Sequence, residues 1–139
     1  MPIYVKHFFP AENSLFVSEF GHSIQTRSKT VGPWSRDIYI LHFIIKGYAN
    51  FSGFKAEAGQ AFLIAKAQLH TFTISDDYEH YWIGFDGEKI QNLFENFCIP
   101  NDRHQLFFVS NPHFAKELFL SVEKQLYQNG AEHNESLVL

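Results

Sequence analysis

From Ile3 to about Gly87 the apolar residues fall in short runs, rich in Phe, Tyr, Ile, Val and Thr and separated by turn residues. Alternate side chains of a strand share one face, so this spacing predicts an all-β sandwich or barrel. "DIYILHFIIKG" is an apolar run closed by a glycine, the pattern of a central strand. Ser52-Gly53 lies between "YANF" and "FKAEAG" and supplies the turn of a tight hairpin. "AFLIA", "HTFTIS" and "HYWIGF" read as further strands, with Asp76-Asp77 as the break between the last two.

After Gly87 the apolar period becomes helical. "GEKIQNLFENF" places Ile90, Leu93, Phe94 and Phe97 on one helix face, and Pro100 stops the helix. "QLFFVS" reads as a short returning strand. Asn111 then caps a second helix with Pro112 in its first turn, and Gly130 ends it. The apolar stripe of this helix is Phe114, Ala115, Leu118, Phe119, Val122 and Leu126. It is expected partly to pack on the barrel and partly to form a homodimer interface. In "HNESLVL", Asn134 is placed to cap another helix, of which Leu137, Val138 and Leu139 are only the beginning. One helical turn has little independent stability, so the natural chain is expected to continue. The expected organisation is a β-barrel over 1–87 and a helical dimerisation segment of the same domain over 88–139.

Composition narrows the function classes. A chain of 139 residues, 45% hydrophobic with 16 Phe, can bury the core of one domain. A net charge of -4 offers no basic face for phosphates, so this chain by itself is a poor DNA binder. The single cysteine, Cys98, excludes an internal disulfide framework and suits a reducing cytoplasm. "MPIYVKHFFP" lacks the basic and apolar regions of a signal peptide, and no apolar run approaches the ~20 residues that span a bilayer. A soluble cytoplasmic protein with no membrane partner is expected.

The candidate chemistry begins at "GQAFLIAKAQLHTF". In the cupin barrel a glycine is followed by five residues, a proline, one residue, a glycine, two residues and a metal-ligating histidine. Gly59 and His70 keep that spacing, but Ala65 and Ala67 replace the proline and glycine, and Ile74 stands where the motif has Asn. Counting back from Gly47, the upstream ligand positions fall on Trp34, Arg36 and Ile40. None of these is the expected His or Glu, and one imidazole cannot hold a catalytic divalent ion. No metal site and no cofactor are therefore expected. Cys98 and the absence of a Ser-centred elbow or a glycine-rich phosphate loop give no support to nucleophilic or nucleotide chemistry.

Strand alternation instead collects an inward set of Arg36, His70, Phe72, His80 and Trp82, suited to a small polar molecule. Aromatic faces pack on the C–H surface of a sugar, while Arg and His supply directed hydrogen bonds. Each residue also has a plainer account. His42 is assigned a structural role, Trp82 is equally a core residue, and His70 reads as either wall or core. A buried Arg36 needs a partner, and Asp37 points to the opposite face, so a ligand or solvent is expected to satisfy the guanidinium.

"RDIYILHFIIKGYANF" (Arg36 to Phe51), "GQAFLI" and "HTFTISDDYEHYWIGFDG" (His70 to Gly87), in that order, resemble the N-terminal effector-binding and dimerisation domain of AraC-type (AraC/XylS family) transcription regulators. The resemblance implies a cupin double-stranded β-helix, or jelly-roll barrel, followed by C-terminal α-helices. It also implies a sugar or similar effector bound without catalytic metal, helix-mediated dimerisation and a DNA-binding domain outside this chain. Positions matching Phe72, His80 and Trp82 contact the ligand in sugar-sensing members, and Arg36 is the nearest match to a contributing arginine. "FLIAKA" departs from the family's proline pair, and Phe72 lacks the hydroxyl of a Tyr. The expected function is thus effector sensing. A free-standing cupin enzyme of the sugar isomerase or dioxygenase type, and a purely structural dimerisation module, are the alternatives.

Overall fold

The computed structural model describes residues 3–8, 15–128 and 137–138. The strands are β1 (Ile3–His7), β2 (Phe16–Gln25), β3 (Lys29–Trp34), β4 (Tyr39–Lys46), β5 (Tyr48–Asn50), β6 (Lys55–Glu57), β7 (Gln60–Ile64), β8 (His70–Ile74) and β9 (Tyr78–Asp86). Helix α1 (Ile90–Asn96), strand β10 (Gln105–Phe108), helix α2 (Pro112–Gln128) and strand β11 (Leu137–Val138) follow. The strands form two antiparallel sheets. One runs β1-β2-β9-β4-β7-β10, with β11 also paired to β2, and the other runs β3-β8-β5-β6. Sheet neighbours are mostly distant in sequence, the winding of a jelly roll. The fold is mainly β, with helices after the barrel, as the apolar pattern predicts.

β4 lies between β7 and β9. Its two faces are both covered, which is why "YILHFIIK" reads as a continuous apolar run and not as an alternation. Toward the second sheet, Ile40 and Ile44 pack with Phe62, Ile64, Phe72, Ile74 and Tyr78. Toward the helices, Tyr39 packs with Leu63, Ile90 and Phe94 of α1. β8 alternates cleanly, with His70, Phe72 and Ile74 buried and Thr71 and Thr73 exposed. The hairpin turn falls at Ser52-Gly53, where Phe51 N–H donates to the Phe54 carbonyl at 2.8 Å.

α1 departs from expectation at its end. Cys98 adopts a left-handed φ of 55°, and Ile99 N–H donates back to the Phe94 carbonyl at 2.8 Å. The helix therefore closes by a left-handed cap before Pro100 is reached. Phe97, predicted on the buried face, sits at this cap and is 68% exposed. α2 begins as predicted, with the Asn111 side chain accepting from Phe114 N–H at 3.0 Å.

The α2 stripe divides in two. Phe119, Val122 and Leu126 pack on Phe20 and Tyr81 at the outer face of β2 and β9, whereas Phe114 and Leu118 remain 63% and 54% exposed. The Phe119 ring meets Tyr81 at 5.3 Å, Phe43 at 5.6 Å and Phe20 at 6.1 Å between centroids. Below it, Glu123 accepts from Tyr81 Oη at 2.9 Å and contacts His22 Nδ1 at 2.6 Å. Phe119→Ala is expected to destabilise the domain by about 2 kcal/mol in chemical denaturation, because half-buried ring area is lost and a void left behind. An unchanged midpoint would show that α2 is not anchored there.

Leu137 and Val138 pair with Val17 and Phe16 of β2 in place of beginning a helix. The predicted Gly130 stop, the Asn134 cap and Leu139 lie outside the described residues. No helix among the described residues is long and apolar enough to cross a membrane.

Candidate functional site: a cavity inside the barrel

A cavity of about 460 Å³ opens between the sheets. β9 contributes His80 and Trp82 and β2 contributes Glu19, while β4 brings Ile40 and His42. β8 adds His70 and Phe72 from the opposite sheet, β3 adds Val31 and Trp34, and Arg36 reaches in from the turn after β3. Val5 and His7 of β1 complete the lining. All five residues of the predicted inward set, Arg36, His70, Phe72, His80 and Trp82, are thus brought together. The positions where the metal pattern would place ligands, Trp34, Arg36 and Ile40, also line the cavity. Among the described residues no group of three or more His, Cys, Asp or Glu is placed to hold a metal ion.

The loop that delivers His70 keeps the cupin geometry with different residues. Ala67, at the motif's glycine position, retains a left-handed φ of 60°, and its N–H donates to the Arg36 carbonyl at 2.7 Å. His104 braces the same loop by accepting from Ala65 N–H and donating to the Leu69 carbonyl, both at 3.0 Å.

Arg36 finds a protein partner that the sequence reading missed. Its Nη2 donates to Glu19 Oε1, while Trp82 Nε1 donates to Glu19 Oε2 at 2.9 Å. Glu19 is nearly sealed, its side chain 6% exposed, whereas that of Arg36 is 43% exposed. The signal was present as one acid within the apolar run "FVSEFGHSI". A bulge between Val17 and Glu19 obscures the alternation there. Gly21, next along the same face, lets the Trp82 ring lie flat on β2, since a Cβ at this position would come within 2.1 Å of the indole.

His42 also belongs to the cavity and not only to the core. Its Nδ1 lies 3.0 Å from His80 Nδ1, and its ring is stacked on Phe62 at 4.5 Å. Burial, followed by the fields of His22 and Lys29, pushes the His80 pKa down to about 3. Burial also holds His42 well below its ordinary value, with smaller contributions from His80, His70 and Arg36. His70 is lowered mainly by burial; the Gln68 backbone opposes this, and the fields of His104 and Arg36 add to the lowering.

These depressed values fix a pH dependence. The unfolded chain takes up protons on both rings below an ordinary pKa of 6.5, and the folded chain resists doing so. Stability from this source is complete above pH 6.5 and is lost as pH falls toward the folded value of about 3 for His80. From His80 alone, denaturation at pH 5 is expected to show a domain about 2 kcal/mol less stable than at pH 7, and His42 adds to the loss in the same direction. Equal stability at both would mean that the rings protonate freely in the fold.

A jelly-roll barrel holding an aromatic cavity with one compensated ion pair is a cupin-like architecture with room for a small molecule. Residues 16–138 match the family described as AraC-like ligand binding domain, and the chain belongs to that family. It is 33% identical over 107 residues to the Msm operon regulatory protein of Streptococcus mutans, an overlap covering 68% of this chain and 38% of the relative. The chain therefore spans well under half the length of that curated relative. In fold it is similar to YhaK from Escherichia coli (TM-score 0.51, 14% identity, 78% of this chain and 52% of that one). It is also similar to ToxT from Vibrio cholerae O395 (TM-score 0.52, 9% identity, 88% and 46%). ToxT has also been solved bound to (E)-4-(8-methylnaphthalen-1-yl)but-3-enoic acid (TM-score 0.50, 9% identity, 95% and 49%).

Proposed function

We propose that this domain is the effector sensor of an AraC-type transcriptional regulator and that its effector is an uncharged carbohydrate. The observation that carries the reading is the Glu19–Arg36 pair. Arg36 is the cation of the cavity wall, and Glu19 already offsets it. Among the described residues of the wall Arg36 is the one Lys or Arg side chain, so an anionic ligand would have to compete with Glu19 for it. A hydroxylated neutral ligand can accept from Arg36 while also donating to neutral imidazoles. The indoles of Trp34 and Trp82 offer flat apolar faces to the C–H side of a pyranose, and about 460 Å³ suits a mono- or disaccharide. The carboxylic acid in the ToxT complex marks the contrasting chemistry for this fold.

In this reading the domain binds and does not catalyse, and it works in the cytoplasm. It acts as a homodimer and controls a DNA-binding domain outside the chain. α2 supplies the dimer surface through Phe114 and Leu118, with Phe119, Val122 and Leu126 holding the helix in place. Binding has a regulatory effect only if the effector favours one arrangement of β1 or α2 over another.

A thermal-shift screen tests the proposal, because a ligand specific for the native state raises its stability. At least one neutral mono- or disaccharide is expected to raise the midpoint. Stabilisation by carboxylates alone, such as octanoate, would sink the carbohydrate assignment. Stoichiometric bound metal with turnover of a sugar would favour the cupin enzyme.

A further inference from the structure

We infer that His42 and His80 act as one recognition unit. By sharing a proton they offer the cavity one Nε2–H donor and one bare Nε2 acceptor, which selects hydroxyl groups over groups that can only accept. The inference rests on the reading of the cavity as a polyol site and says how that site tells a polyol from other neutral molecules.

The geometry leaves few proton arrangements. The two Nδ1 atoms are 3.0 Å apart, and the ring planes are within 4° of parallel with centroids 5.1 Å apart. Two bare Nδ1 atoms at this distance would oppose their lone pairs, and two Nδ1–H groups would oppose their protons. One nitrogen therefore donates and the other accepts.

A doubly protonated ring is disfavoured by everything packed around the pair. Phe62 covers His42, while Trp82 and Tyr78 flank His80 at 5.0 and 4.7 Å. The ionisable groups whose fields reach the pair, Arg36 and His70 toward His42 and His22 and Lys29 toward His80, carry or can take positive charge. Glu19, the carboxylate of the cavity wall, is engaged by Arg36 and Trp82. Both rings accordingly stay neutral, with burial lowering both pKa values.

In a neutral imidazole only one nitrogen carries hydrogen. The ring that donates through Nδ1 has a bare Nε2, and the ring that accepts at Nδ1 has an Nε2–H. Both rings line the cavity, and neither Nε2 has a protein partner among the described residues. Exchanging the two roles takes two proton movements, one between the Nδ1 atoms and one between the Nε2 positions through ligand or solvent, so the neutral pair never presents two donors or two acceptors. Hydroxyls on a ligand satisfy both nitrogens in either arrangement. An ether, ester or ketone satisfies only the donor and leaves a bare nitrogen dry. His42 thereby becomes a specificity residue acting through the tautomer of His80 as well as directly.

Long-range 1H–15N spectra of 15N-histidine-labelled protein at pH 7 test this without any sugar. Assignment by His42→Asn and His80→Asn is expected to give one ring as the Nδ1–H tautomer and the other as Nε2–H. In His42→Phe, His80 is expected to relax to a mainly Nε2–H form. Should these variants fail to fold, the wild-type spectrum still decides, because at least one neutral Nδ1–H histidine must appear in it. Like tautomers on both rings, or a protonated ring at pH 7, would overturn the inference. Glycerol at high concentration is then expected to perturb both Nε2 resonances, and 1,2-dimethoxyethane only that of the protonated Nε2. Equal responses to the two probes would overturn the selectivity. A failed saccharide screen with opposite tautomers present would count against the carbohydrate reading and not against the shared proton.

Discussion

Glu19→Ala is expected to lower the stability of the domain by about 2–3 kcal/mol and to abolish its response to effector. The substitution removes both acceptors that organise the cavity wall. Trp82 Nε1 loses its 2.9 Å partner in a half-buried setting, and Arg36 loses the carboxylate that fixes its guanidinium. The cost stays at the lower end of the range for broken buried ion pairs because the Arg36 side chain, 43% exposed, can turn toward water. The space for Glu19 is itself built into the sheet. A Cβ on Gly84 would come within 2.7 Å of Glu19 Cγ, so Gly84 belongs to the same arrangement. Chemical denaturation and Trp fluorescence check the prediction together. A loss below about 0.5 kcal/mol with unchanged fluorescence would mean that Glu19 is only a surface-like partner of Arg36.

Trp82→Ala is expected to weaken effector binding by about a hundredfold or more while leaving a folded domain. A flat indole in a cavity contributes the kind of anchoring contact that dominates small interfaces, and a hundredfold corresponds to about 2.8 kcal/mol. The fold is expected to survive because Trp82 faces the cavity and is only half-buried. Gly21→Ala provides an independent route to the same result without touching the ring chemically. Its Cβ would sit 2.1–2.6 Å from three indole atoms, so the ring must leave β2. Binding is expected to fall in both variants. Full affinity in Trp82→Ala, measured by calorimetry with whichever saccharide stabilises the wild type, would remove Trp82 from the site.

The regular parts of this structure could be read from the chain. The barrel strands, the Ser52-Gly53 turn and the Asn111 cap rest on local chemistry, namely periodicity, a turn dipeptide and a side-chain cap. The face assignments on β8 and β9 also follow from simple alternation, and His70, Phe72, His80 and Trp82 all line the one cavity. What escaped depends on pairing across the sheet. Glu19 meets Arg36 and Trp82 only because β2 lies beside β9, and 63 residues separate Glu19 from Trp82. His42 reads as structural because a single histidine is more often a satisfied core residue than a ligand contact, and its register opposite Trp82 and near His80 is a property of the β4–β9 pairing. Phe97 was misplaced because the helical period says nothing of where a helix ends. A left-handed residue at Cys98, a position with no glycine to announce it, turned the ring outward. Ala67 is the converse case, where the cupin spacing preserved a backbone conformation after the motif's glycine had gone.

The central claim is that the Glu19–Arg36 pair makes the cavity a site for uncharged polyols. Glu19→Gln tests it most directly, since the amide oxygen can still accept from Trp82 while Arg36 is left as an unmatched cation. Calorimetric titrations of wild type and Glu19→Gln with matched sugars, D-glucose against D-glucuronate and D-galactose against D-galacturonate, separate charge from shape. The wild type is expected to prefer the neutral sugar of a pair, and Glu19→Gln to shift toward the uronate by about tenfold or more. A wild type that prefers the uronate, or a Glu19→Gln variant with unchanged preference, would contradict the account.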